Sequence, residues 1–138
     1  MRVLLVALLA IAVFAVGCSS KSDLSDDELT IEVLAENVRF RPDVIEVPAG
    51  RMVTLRFKNL DATEHDLEVR NLVPTSISGG GHEGHGEPIR LTKVVAVHAD
   101  ASGTATIKFQ ADQKGTYQIV CTIPGHEQAG MVARLVVV

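Results

Sequence analysis

The chain has 138 residues, enough for one domain, and 46% of them are hydrophobic while 22% are charged, a balance typical of a globular protein. The formal net charge is −4 and the sequence contains no run of basic residues, so we expect no nucleic-acid partner. Two cysteines allow at most one disulfide, which excludes a small fold held together by several disulfides.

The N-terminus has the pattern of a bacterial export signal. Residues 3–16 are an uninterrupted apolar run after a short basic start. The run is too short to cross a bilayer, which needs roughly 20 residues, but it fits the apolar part of a signal peptide. The small residues that precede Cys18 resemble a bacterial lipobox, so we expect residues 1–17 to be removed and Cys18 to carry lipid. The alternative is a plain signal peptide cut near an incidental cysteine.

Residues 18–29 are predicted to be the lipidated cysteine and a flexible tether, because they are polar, acidic and rich in serine. Ser25 and Glu28 match a helix capping box, but no amphipathic helix follows, so we interpret the segment as a linker. If Cys18 carries lipid, Cys121 has no partner for a disulfide. A lone thiol outside the cytoplasm is a liability unless something binds it.

The remainder, residues 30–138, is predicted to form one all-β domain. Short segments with apolar residues at every second position are separated by turn residues. In one of them, Val53, Leu55 and Phe57 share a face. The eight predicted strands are residues 30–34, 44–47, 52–58, 65–70, 93–98, 104–109, 116–120 and 132–138. With no segment of helical periodicity among them, they indicate an antiparallel β-sandwich.

One segment interrupts this rhythm. Between Pro74 and Pro88, five of the nine residues at 79–87 are glycine, so we interpret it as a surface loop. His82 and His85 lie in it beside acidic residues. They support an alternative hypothesis, a weak second site for Cu(II) or Zn(II).

The most informative segment is residues 121–131. Cys121, His126 and Met131 occur there with four residues between each pair. A thiolate, an imidazole and a thioether are soft or borderline donors, and one further imidazole would complete a His2Cys copper site with a long axial methionine. Taken singly, each of the three has an ordinary structural interpretation, such as a buried core residue or a turn residue.

Two histidines compete for the role of second imidazole. His65 begins a predicted strand after a polar turn, so it can lie at the same end of the sandwich as Cys121. His98 is separated from the strand that leads to Cys121 by a turn and a whole strand, which suggests the opposite end. We therefore choose His65 and interpret His98 as an ordinary solvated or half-buried histidine.

Together these residues resemble the cupredoxins, the plastocyanin and azurin family of small blue-copper proteins, and the spacing of residues 121–131 is most similar to auracyanin and sulfocyanin. The glycine- and histidine-rich loop has no counterpart in the family pattern. The motifs that carry the resemblance are residues 40–50, Asn59 with His65 and Asp66, 115–121 and 121–131. The resemblance covers roughly residues 30–138.

The resemblance implies a Greek-key β-sandwich with one type-1 copper at its end. His65, Cys121 and His126 would form the plane of ligands and Met131 the weak axial contact. The exposed edge of His126 would be the route for electrons.

The implied function is a one-electron carrier rather than an enzyme. We expect a monomer that is lipid-anchored to a membrane of the cell envelope, outside the cytoplasm. Its expected partners are transient redox proteins, such as a quinol-oxidising complex, an oxidase or a reductase. The alternative is a protein that stores or delivers copper. A structural β-sandwich without metal is a third hypothesis, which leaves the free cysteine beside histidine and methionine unexplained.

Overall fold

The computed structural model describes residues 28–80 and 94–138, and these residues form ten β-strands and no α-helix. The predicted all-β class is therefore confirmed. The strands are β1 (Glu28–Ala35), β2 (Phe40–Arg41), β3 (Val44–Val47), β4 (Met52–Asn59), β5 (His65–Val69), β6 (Ser76–Gly79), β7 (Val95–Ala99), β8 (Thr104–Gln110), β9 (Gly115–Val120) and β10 (Val132–Val137).

The strands form two five-stranded sheets that enclose one hydrophobic core. One sheet has the order β2-β1-β4-β8-β6 and the other β3-β10-β9-β5-β7. The predicted sandwich is confirmed, but it is not wholly antiparallel, because β1 runs parallel to β4 and β3 runs parallel to β10. The strands of these two pairs are not consecutive in the chain. The chain passes from the first sheet to the second between β2 and β3 and returns to the first at β4. β1 and β3 therefore each have a parallel neighbour that comes later in the chain.

Two strands were not predicted. β2 has only two residues, too few to show a period. β6 begins in the segment that we interpreted as a surface loop because of its high glycine content. Its backbone instead pairs with β8 at the edge of the sheet. β1 also begins at Glu28, within the predicted tether.

The core explains why these segments become strands. Along β8, exposed and buried residues alternate strictly from Thr104 to Phe109. The antiparallel register places buried Val53 opposite buried Phe109 on the neighbouring strand. Removing a side chain of this kind from water contributes about 1.5–3 kcal/mol. The predicted inward face of β4 is confirmed.

A buried asparagine shapes the end of the sandwich where His65 lies. Asn59 ends β4 and is 1% exposed. Its side-chain amide donates hydrogen bonds to the carbonyl oxygens of Thr63, Ala99 and Asp100, at 2.6, 3.2 and 2.9 Å. These bonds link the turn after β4, which leads into β5, to the end of β7.

The predicted signal peptide, Cys18, most of the tether and the pair His82 and His85 lie outside the described residues. Those parts of the interpretation stay predictions. Within the described part of the chain we find no helix that is long and apolar enough to span a membrane.

Candidate metal centre

Three side chains from separate parts of the chain converge at one end of the sandwich. His65 begins β5, Cys121 directly follows β9, and His126 lies in the loop between β9 and β10. The two Nδ1 atoms are 3.1 Å apart, and Cys121 Sγ lies 3.4 Å from the Nδ1 of His126 and 3.9 Å from that of His65. All three atoms are close enough together to bind one ion, because metal–nitrogen and metal–sulfur bonds are about 2.0–2.1 and 2.3 Å long in zinc sites. The donors therefore have the spacing that one metal ion requires.

Asp61 decides which nitrogen of His65 faces this point. Its Oδ2 lies 2.8 Å from His65 Nε2, and a carboxylate only accepts, so Nε2 carries the hydrogen and Nδ1 keeps its lone pair. The backbone amides of Asn37 and Val38 also donate to Asp61. Burial raises the pKa of Asp61, but the hydrogen bonds from these amides and from His65 outweigh burial and hold the pKa below its usual value. The carboxylate that orients His65 is thus kept charged.

Cys121 is a buried free thiol. The backbone amide of Asp66 donates to its Sγ across 3.4 Å. Burial raises the pKa of the Cys121 thiol, and the amides of Asp66 and Ile123 oppose this rise only in part. A thiolate in this environment is stabilised by a positive charge, and a bound metal ion supplies one.

The loop from Cys121 to Met131 is closed by its own backbone. The amide of Met131 donates to the carbonyl of His126 at 2.9 Å, and the amide of Cys121 donates to the carbonyl of Met131 at 3.3 Å. Gly125 and Gly130 have φ of +90° and +91°, the left-handed region that favours glycine. Met131 is fully buried at the end of this loop.

Two arginines attach the loop to the rest of the sandwich. Arg70 binds both carboxylate oxygens of Glu127, at 2.7 and 2.9 Å. Arg39 Nη1 donates to the carbonyl of Ala129 at 2.5 Å, and also to that of Val38. The loop is therefore held at two points, Glu127 and Ala129.

His126 is the donor nearest to solvent. His65 and Cys121 are buried, whereas His126 is half-buried. A shallow depression opens beside it, lined by Thr63, Glu64, Asp100, Ala101, Ile123 and His126. The imidazole of His126 thus reaches the surface at an acidic rim.

Within residues 28–80 and 94–138, the structure brings the predicted copper ligands together. His65, Cys121 and His126 form one cluster, and Met131 is joined to it through the loop backbone. His98 is outside this cluster and half-buried, as expected. Its predicted position at the opposite end of the sandwich is wrong, because β7 pairs directly with β5 and places His98 across from Asp66.

Sequence reasoning missed the residues that support the donors. Asp61 lies four residues before His65, and the only sequence signal for it was that proximity. Arg39 and Arg70 are distant in sequence from the loop that they hold, and nothing in the sequence pattern singled them out.

The chemistry of the donor set fits copper. A thiolate and two imidazoles converge, and a buried thioether belongs to the same loop. Zinc sites usually take four ligands from cysteine, histidine and carboxylate without a thioether. A thiolate, two imidazoles and a thioether are the donors of blue-copper sites.

Curated proteins similar to this chain include copper proteins. Auracyanin-A of Chloroflexus aurantiacus is 31% identical over 111 residues, which cover 71% of this chain and 68% of that protein. The copper-resistant cuproprotein CopI of Rubrivivax gelatinosus is 29% identical, over 76% of this chain and 63% of its own length. CopI of Pseudomonas aeruginosa is 28% identical, over 78% and 75% respectively.

Solved structures show the same fold. Auracyanin A of Chloroflexus aurantiacus, described as a blue copper protein, superposes with a TM-score of 0.60 at 28% identity, covering 80% of this chain and 99% of that one. The reduced auracyanin of Roseiflexus castenholzii gives 0.59 at 28% identity, covering 79% and 96%. A family model for the cupredoxin-like domain matches residues 7–133. This chain therefore belongs to the cupredoxin family, and its cofactor is type-1 copper.

Proposed function

We propose that this protein is a one-electron carrier in which His65, Cys121, His126 and Met131 would hold the copper. Copper held by these residues would supply the one-electron redox chemistry. The observation that carries the proposal is the convergence of three donors that the sandwich already holds at metal-ligand spacing.

The residues around the donors favour transfer over catalysis. Asp61 holds His65, the Asp66 amide holds the sulfur of Cys121, and hydrogen bonds close the loop. A rigid donor set changes little between two oxidation states, which keeps the reorganisation on electron transfer small. With four protein donors, no position is left for a substrate, so we infer that the protein is not an enzyme.

The half-buried edge of His126 is the proposed route for the electron. Its shallow, acidic surroundings suit brief contact with another redox protein through a small interface. We propose a quinol-oxidising complex, an oxidase or a reductase as the partner, met by a monomer of this chain.

The alternative function is storage or delivery of copper. The two CopI relatives favour it, because both are described as copper-resistant cuproproteins. The auracyanin relative is the more similar by identity, and we therefore keep electron transfer as the main proposal.

The ligand assignment is tested by Cys121→Ser. A hydroxyl cannot replace the soft thiolate, so the variant should lose the intense visible band of the copper-loaded protein. It should also lose the rise in melting temperature caused by copper binding to the folded state. Cys18→Ser is the matched control and should keep both. A Cys121→Ser protein that remains intensely coloured would refute the assignment.

Carrier and delivery functions differ in what leaves the protein. A carrier mixed with a redox partner should bleach and recover its visible band while the copper content stays constant. A delivery protein should instead lose copper to an apo acceptor at the same rate as its band declines. Copper analysis after gel filtration distinguishes the two.

For localisation, we propose an extracytoplasmic protein anchored through lipid on Cys18. Two or three acyl chains bind membranes far more stably than one. Cys18→Ala should therefore move the protein from the membrane fraction to the soluble fraction, whereas Cys121→Ser should leave it anchored. Equal retention of Cys18→Ala and wild type in the membrane fraction would exclude Cys18 as the anchor.

A further inference from the structure

A second group of metal-binding side chains lies beside the copper centre. The pairing of β5 with β7 places His98 across from Asp66 and Ala99 across from His65. Glu64 immediately precedes β5 and Asp100 immediately follows β7, so their side chains meet around His98. One donor atom from each of Glu64, His98 and Asp100 lies within 4.8 Å of the other two.

The orientation of His98 is set by a residue outside this group. His98 Nδ1 lies 2.5 Å from Asp66 Oδ1, and Asp66 is itself held by the hydroxyl of Thr122. Because the carboxylate accepts, the hydrogen belongs on Nδ1 and the lone pair belongs on Nε2. Metal-binding histidines are typically oriented by a carboxylate in this way. The arrangement repeats that of Asp61 with His65.

The Nε2 edge of His98 faces two carboxylates. Nε2 is 3.7 Å from Glu64 Oε2 and 3.7 Å from Asp100 Oδ1. Two donors 3.7 Å apart can both reach one ion, since nitrogen and oxygen ligands lie about 2.0–2.2 Å from zinc. A cation at this position also offsets the mutual repulsion of the carboxylates.

We propose that Glu64, His98 and Asp100 form a second binding site for a divalent ion of borderline character, Zn(II) or Cu(II), with water completing its coordination. One imidazole and two carboxylates suit such ions. The absence of a thiolate from this trio means that an ion bound there adds no intense visible band.

The position of the site gives it access to solvent and to the copper centre. The side chains of Glu64 and Asp100 are 59% and 64% exposed, whereas that of His98 is 27% exposed. An ion can therefore enter from solvent and meet a fixed imidazole. Glu64 and Asp100 also line the depression beside His126, so an ion bound here makes the surface around His126 less negative.

The test uses ZnCl2 as the probe and the full-length, copper-loaded protein as the sample. Calorimetric titration is done in a His82→Ala/His85→Ala background, which removes the other candidate histidines. We expect one equivalent of zinc to bind. His98→Asn keeps a donor that can reach Asp66 but removes Nε2, and it should weaken zinc binding by more than the 10–100-fold typical of supporting residues. Glu64→Gln/Asp100→Asn should do the same.

A matched control and a direct readout separate this site from general attraction to an acidic surface. Glu46→Gln removes an exposed carboxylate of β3 and should leave zinc binding unchanged. In the Cu(I) protein, zinc should shift the ¹⁵N resonance of His98 Nε2 and leave Nδ1 protonated. The proposal would be overturned if His98→Asn bound zinc as tightly as its parent protein does. It would also be overturned if the parent protein showed no saturable zinc binding below about 1 mM.

Discussion

At the residue scale, carboxylates decide what the neighbouring histidines can do. His65 and His98 lie at the same end of one sheet and have the same chemistry. Asp61 binds Nε2 of His65 and leaves Nδ1 facing Cys121, whereas Asp66 binds Nδ1 of His98. Each imidazole therefore presents a different nitrogen to a different group of donors.

The first prediction concerns Asp61. Asp61→Asn keeps the size of the side chain but removes its charge and one of its two accepting oxygens. Those oxygens accept hydrogen bonds from His65 and from the amides of Asn37 and Val38. We expect copper affinity to fall by about 10–100-fold. Competition with a chelator, followed by the visible band, measures this change. Asp43→Asn removes an exposed carboxylate and should leave the affinity unchanged; equal affinity in both variants would contradict the role of Asp61.

At the element scale, the loop between β9 and β10 behaves as a closed unit. Its backbone hydrogen bonds join Met131 to both His126 and Cys121, and Arg39 holds it from outside. A change at one glycine of this loop therefore acts on the spacing of the donors as well as on stability.

Two glycines of this loop form a matched pair for the next prediction. Gly125 and Gly130 have nearly equal positive φ, so alanine at either should cost about 1–2 kcal/mol of backbone strain. A Cβ at Gly125 meets nothing within 4 Å, whereas one at Gly130 lies 3.3 Å from Arg39 Nη1. Gly130→Ala should therefore be the more destabilising in chemical denaturation. It alone should also shift the visible band. Equal losses in the two variants would exclude a role for the Arg39 contact.

At the scale of the whole molecule, charge governs the approach of redox partners. The chain has a formal net charge of −4, and Glu64 and Asp100 add local negative charge beside His126. Exposed charges act over a Debye length of about 8–10 Å at physiological salt, so this rim influences any molecule that approaches His126.

The resulting prediction compares two small oxidants of the reduced protein. A cationic ruthenium ammine should react faster at low salt and slow down as salt is added, whereas anionic ferricyanide should speed up. Stopped-flow recording of the visible band measures both rates. Glu64→Gln/Asp100→Asn should reduce the two salt dependences, and Glu46→Gln, a change at an exposed site of β3, should reduce them less. Identical behaviour of the two variants would place electron entry away from His126.

Much of this protein was determined by patterns that are local in the chain. The alternation that places Val53, Leu55 and Phe57 on one face predicts a strand without any tertiary information, because side chains of a strand alternate between its two faces. Cys121, His126 and Met131 lie within one eleven-residue segment. Because these three residues are close together in the sequence, their donor types and spacing predicted a copper loop without tertiary information.

Only the tertiary structure decided what depends on the pairing of distant strands. The sequence cannot show that β7 lies beside β5. Because of this pairing, His98 lies across from Asp66 and not at the opposite end of the sandwich, where we expected it. The parallel pairs and β6 are likewise set by neighbours in space. The role of Asp61 is visible only in the folded structure, where its carboxylate contacts His65. Hydrogen bonds and metal-ligand spacing depend on distances of a few ångströms between residues far apart in the chain, and those distances are set by the packed fold.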